Sequence, residues 1–212
     1  GDDASMPAAH YIRIGQPQIY STGNHVFLAG DSDGIATEKI IIKDSDTAPI
    51  INFLNDIKIE IPNDIELTWD PAIETSSSAI SLSSNSTTNM SNLSYDVSVD
   101  GKYLTVNLSE DLNASDSLIF SNVSFIIGDE FNEDVPQHLQ LYVNDKKDTF
   151  DAADGSLLII AKPNLVFTQE IKAIVHDLPK SLNGLEFREH PTYSTVRKDH
   201  KIIINLPASP FD

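Results

Sequence analysis

Residues 55–70, NDIKIEIPNDIELTWD, hold two stretches of alternating apolar and polar residues on either side of a Pro-Asn turn, and no other part of the chain restricts the fold as much. In the first stretch Ile57, Ile59 and Ile61 point one way and Lys58 and Glu60 the other. In the second, Ile65, Leu67 and Trp69, the only tryptophan, alternate with Glu66 and Thr68. A period of two describes strands that bury one face and wet the other.

Similar signals recur along the chain. Strands are expected at 11–14, 25–28, 36–42, 57–61, 65–69, 93–99, 103–108, 117–125, 139–143, 157–161, 165–168, 171–175 and 201–206, most of them short and separated by Asp, Asn, Ser, Gly or Pro. Helical periodicity is not sustained anywhere; only 177–183, DLPKSLN, has the makings of a helical turn. Many short strands with turn signals between them imply an all-β protein, a sandwich or a barrel. A length of 212 residues suits one large β domain, or one domain with an appendage, and allows a sizeable core.

Three segments carry a family resemblance. EKIIIKDSDTAPIINFLNDIKIEIPNDIELTWD, DGKYLTVNLSEDLNASDSLIFSNVSF and HLQLYVNDKKDT follow one another in the order of an Ig-like β-sandwich repeat of very large bacterial cell-surface proteins. That repeat runs through an "NDI-x-I-x-IP" strand, a strand closing on "TWD", a "G-K-x-L-x-V" strand, an "ASDSL" strand and a terminal "L-x-L-x-V" strand. The resemblance spans roughly residues 25–160 and implies a Greek-key β-sandwich with extra terminal strands, in an extracellular or cell-surface location. It implies no activity. On this reading residues 1–24 are an N-terminal extension or strand, 25–165 the sandwich body, and 166–212 additional C-terminal strands, used in contacts between subunits. The start at Gly-Asp-Asp, with neither methionine nor apolar leader, suits a chain whose signal peptide has been removed.

Composition narrows the partners. With no cysteine, disulfides and thiolate metal sites are impossible. No apolar run approaches the roughly 18–20 residues of a membrane span. The net charge of −18 argues against nucleic acid and anionic membranes as partners. It is also unevenly spread: residues 1–165 hold 8 basic and 26 acidic side chains, whereas 166–212 hold 6 of each.

Acidic clusters are the candidate ligand sets for calcium, which prefers several oxygens presented on a loop. Asp31 and Asp33 precede the 36–42 strand and Asp44 and Asp46 follow it, while Asp145, Asp148, Asp151 and Asp154 form a denser group. Neither region has the Glu that closes a calcium loop at its twelfth position: counting from Asp31 that position is Ile42, and from Asn144 it is Gly155. Solvated turns are the competing reading. The Ser/Thr/Asn-rich segment 74–94 reads as a long exposed loop and opens a run of Asn-x-Ser/Thr sequons at Asn85, Asn89, Asn92, Asn107, Asn113 and Asn122. All are valid glycan acceptors, although such a composition also makes sequons by chance.

Enzyme signatures are missing: there is no Gly-x-Ser-x-Gly, no His-Glu-x-x-His and no phosphate-binding glycine loop, and the six histidines are scattered. A non-enzymatic structural role is expected. Near the C-terminus, Arg197, Lys198 and Lys201 precede the apolar run Ile202, Ile203 and Ile204. A terminal strand of this kind can complete the sheet of a second copy, and its basic flank is attracted to an acidic body. Head-to-tail assembly into filaments or layers is one reading; pairing of that strand within its own domain is the other. A carbohydrate-binding or calcium-dependent adhesive module is the alternative from a different class. Trp69 could serve a sugar platform, but a lone Trp in an alternating strand is more often core.

Overall fold

Short β-branched runs punctuated by Asp, Asn, Ser and Pro become strands because each can bury alternate side chains while its neighbours end the ladder. The computed structural model describes residues 14–31, 35–36, 38–75, 80–82, 93–128, 135–143, 149–167, 185–196 and 201–204. In chain order the strands are β1 (Gln18–Ser21), β2 (His25–Leu28), β3 (Ile35–Ala36), β4 (Ile40–Lys43), β5 (Ile57–Glu60), β6 (Leu67–Trp69), β7 (Ile80–Leu82) and β8 (Ser94–Val97). They continue as β9 (Tyr103–Asn107), β10 (Ser117–Phe120), β11 (Ser124–Ile127), β12 (Gln140–Tyr142), β13 (Ala152–Ala153), β14 (Leu158–Ala161), β15 (Asn164–Phe167) and β16 (Leu185–Arg188). The one helical element among the described residues is a 3-10 turn at Pro71–Thr75, and no helix there is long and apolar enough to cross a membrane.

The protein is all-β and sandwich-like. One sheet has the order β1-β4-β10-β7, a second β13-β12-β5-β9-β8 and a third β3-β11-β6, all antiparallel. β2 and β14 run parallel, with His25 opposite Leu158 and Leu28 opposite Ala161. β15 and β16 form a separate antiparallel pair.

The inner faces of these sheets meet in one core. Ile57, Ile59, Ile61, Ile65, Leu67 and Trp69 are all buried, as their alternation requires, alongside Ile40, Ile42, Leu104, Val106, Leu118 and Phe120. Phe125 sits at the aromatic centre: it stacks on Trp69 at 4.6 Å and meets Phe27 edge-on at 5.4 Å. Trp69 is therefore scaffold, and its indole Nε1 donates to the Ile59 carbonyl at 3.3 Å. Its position excludes it from a surface sugar platform.

The "GKYLTV" stretch joins two sheets. Gly101 has φ +70°, and a Cβ there would lie 2.7 Å from Cβ of Thr68, so both backbone conformation and close approach require glycine. Its carbonyl accepts from the Trp69 amide at 2.8 Å, and Lys102 Nζ donates to the carbonyls of Ile65 and Leu67 at 2.7 and 2.9 Å.

Several expectations need correction. The 36–42 strand divides into β3 and β4, and the 117–125 strand into β10 and β11, because Asn122 turns the chain with φ +58°. Residues 201–204 form no strand. β1, β7, β13 and β16 lie outside the expected strands, and β1, within the 1–24 extension or strand, pairs with β4. The expected strand at 171–175 and helical turn at 177–183 lie outside the described residues, as does 11–14 apart from Ile14.

Candidate functional site

Asp44 follows the last residue of β4, where a short acidic side chain can turn back onto the amides of the next loop. It is 2% exposed and its carboxylate accepts from the amides of Ser45 (2.7 Å), Ile50 (3.0 and 3.1 Å) and Ile51 (3.0 Å). Asp46 faces outward, bonded by Lys43 Nζ and Ser115 Oγ, each at 2.7 Å. These two partners hold its carboxyl below the usual carboxylate range. Asp31 is half-buried in the turn after β2. The Asp-Ser-Asp motif thus ties down its own loop with the lone pairs that calcium would use.

In the second cluster Asp151 accepts from the Val143 amide at 3.0 Å. Asp154 is 2% exposed, and it accepts from the Ser21 amide (3.0 Å), the Ser21 hydroxyl and the Ser156 amide (2.9 Å). Asp33, Asp145 and Asp148 lie outside the described residues. Among the described residues no three His, Asp or Glu side chains come together in a metal-holding group.

Asp154 leads to a cluster that sequence reasoning missed. His25 Nε2 lies 2.7 Å from Ser21 Oγ, whose proton is directed to Asp154, so Nε2 carries the imidazole proton and donates. The hydroxyl sits between acid and imidazole, whereas a catalytic relay needs the imidazole in the middle. His25 is 2% exposed, and its Nδ1 has no hydrogen-bond partner among the described residues. Burial lowers the His25 pKa from 6.5, with Asp154 and then Glu38 opposing.

The linkage follows from that sign. The imidazole takes a proton more readily unfolded than folded, so stability is full above about 6.5 and declines as pH falls towards the lowered folded value. A falling urea midpoint between about pH 7 and pH 5 is expected. His25→Gln should flatten that part of the profile; an unchanged slope would remove His25 as its source.

The solvent face of the five-stranded sheet carries a second unforeseen group. Glu60 on β5 accepts from the phenols of Tyr103 on β9 (2.9 Å) and Tyr142 on β12 (2.5 Å). Partial burial and Glu60 raise the pKa of both phenols, which keeps them protonated as donors. Strand register places Tyr103 and Gln140 opposite Glu60, but their separation in sequence gave no sign of it.

Of the sequons, Asn113 and Asn122 are exposed and Asn107 is half-buried at the end of β9. Asn113 bonds to Asp116 through its amide and its side chain, at 3.0 and 3.4 Å. Asn85, Asn89 and Asn92 lie outside the described residues.

At the C-terminal end, Glu189 accepts from the Thr195 amide and hydroxyl and from the Val196 amide, and His190 stacks on Tyr193 at 5.3 Å. Residues 189–196 are thereby tied to themselves. Beyond them Ile202, Ile203 and Ile204 are 55%, 75% and 48% exposed, and Lys201 is exposed as well. Arg197 and Lys198 lie outside the described residues. Compared with known proteins, the chain matches no family model and no curated sequence.

Proposed function

We propose that this protein is a non-enzymatic, extracellular structural subunit that assembles head-to-tail with copies of itself through its C-terminal segment. The observation that carries the proposal is the exposure of Ile202, Ile203 and Ile204 outside every sheet. Three adjacent isoleucines in water are unfavourable, and covering them recovers about 25 cal/mol for each Å² of apolar surface removed. The charge division supports the same direction, since a tail carrying Arg197, Lys198 and Lys201 is attracted to the acidic body of another copy. A contact between two different patches propagates into filaments or layers unless its rotation closes. The resemblance to Ig-like surface repeats supports the Greek-key architecture and the cell-surface setting, and its motifs fall on β5, β6, β9, β10 and β12.

Light scattering and negative-stain microscopy of the concentrated chain test this reading. The full chain is expected to form open-ended assemblies; a variant lacking residues 197–212 is expected to stay monomeric with an unchanged β spectrum. A full chain that remains monomeric at high concentration, with and without calcium, sinks the proposal. The Tyr103–Glu60–Tyr142 face favours a second reading, an adhesive module that binds sugars through aromatic and carboxylate groups. The same experiment separates the two, because a module that only adheres to glycans stays monomeric.

A further inference from the structure

A groove of about 360 Å³ opens between the hairpin that joins β8 to β9 and the outer face of the three-stranded sheet. Thr68 and Ile126, directly opposed in that sheet, line it together with Val97 and Pro71. Val99, at the hairpin tip, is fully exposed beside it. Its volume is near the lower end of the ~300–1,000 Å³ typical of ligand clefts, which suits a few aliphatic side chains. The charged residue that lines the groove is acidic, Asp100. Hydrogen bonds from the Ser98 hydroxyl and the Lys102 amide keep the Asp100 carboxyl below its usual range and ionised. Lys102 offsets this charge only in part: its ammonium donates to the carbonyls of Ile65 and Leu67, and its attraction to Asp100 is weaker than the bonds from the Ser98 hydroxyl and the Lys102 amide.

We infer that this groove receives residues 201–204 of a second copy of the chain, Ile202–Ile204 covering Val99 and Ile126 while Lys201 faces Asp100. Charge complementarity selects this occupant: the body is acidic, and the apolar tripeptide follows Arg197, Lys198 and Lys201. The inference rests on the assembly reading and names its acceptor.

Complementation between two variants tests it. Val99→Asp places a carboxylate at the mouth of the groove on a residue with no packing to lose, so the fold is kept. Val99→Asp and the chain lacking residues 197–212 are each expected to be monomeric alone. Mixed in equal amounts they should form a dimer that grows no further, the tail of one seated in the intact groove of the other. Leu54→Asp, at another open apolar position that is 77% exposed, serves as a control and should assemble like the parent. If Val99→Asp assembles normally, if the mixture stays monomeric, or if Leu54→Asp blocks assembly instead, the groove is not the acceptor. Those outcomes leave the assembly reading standing as long as loss of residues 197–212 abolishes assembly. Assembly of that truncated chain would overturn both.

Discussion

Trp69→Ala is expected to remove about 3–5 kcal/mol of stability, the range for large aromatic truncations in a packed core. At roughly 2–4 °C per kcal/mol for a chain of this size, the thermal midpoint should fall by roughly 6–20 °C. Two losses combine. The cavity opens against Phe125, which also contacts Phe27 and the His25 ring, so packing between β2, β6 and β11 slackens together. The Ile59 carbonyl also loses the indole donor that links β6 to β5. Trp69→Phe keeps most of the apolar contact and loses only that hydrogen bond and some volume, so it should be markedly milder. Chemical denaturation of both variants checks this; a change below about 1 kcal/mol for Trp69→Ala, within the range of ordinary substitutions, would mean that the tryptophan is not central to the core.

Asp44→Ala should be nearly as damaging for a different reason. Three backbone amides converge on one buried carboxylate, and unmet buried donors cost about 1–3 kcal/mol each before the loop relaxes to water. With that relaxation, a loss of about 2–4 kcal/mol is expected, and Asp44→Asn, which keeps one acceptor oxygen, should lose about half as much. The measurement is a thermal melt of each variant in calcium and in chelator. A role confined to the backbone predicts the same destabilisation in both. A calcium-dependent rise in the parent that disappears in Asp44→Ala would instead place a cation at this carboxylate.

What could be read in advance follows from how local each signal is. The alternation from Ile57 to Trp69 announced β5, β6 and their buried faces, because strand geometry repeats every two residues whatever the partner. The run at 157–161 also became a strand, β14, buried at all four positions. Its lack of alternation matches burial on both sides, but nothing in it named β2, more than a hundred residues earlier, as its parallel partner. β1 was missed because only Ile19 of its four residues is buried, too few for a period, and it is a strand because β4 offers an edge at that place. The expected strand at 201–206 had the opposite fate over its described part: the apolar run is present, but no edge among the described residues pairs with it.

The candidate site follows the same rule. Asp-Ser-Asp spacing suits either a calcium ligand set or a turn that caps its own amides, and only the placement of Ile50 and Ile51 assigned Asp44 to the second task. Ser21, which also bonds His25, meets Asp154 across 133 residues, and Glu60 meets Tyr142 across 82. From its sequence alone this protein is an all-β chain with an acidic body, a cysteine-free core around residues 57–69 and a basic, apolar end. Tertiary structure decided which aspartates serve the backbone, which serine lies between Asp154 and His25, and that Ile202–Ile204 is left open. The physical reason is range: side-chain alternation is set by the nearest neighbours along one strand, whereas a hydrogen-bond partner or an open sheet edge depends on what folding brings alongside from far away.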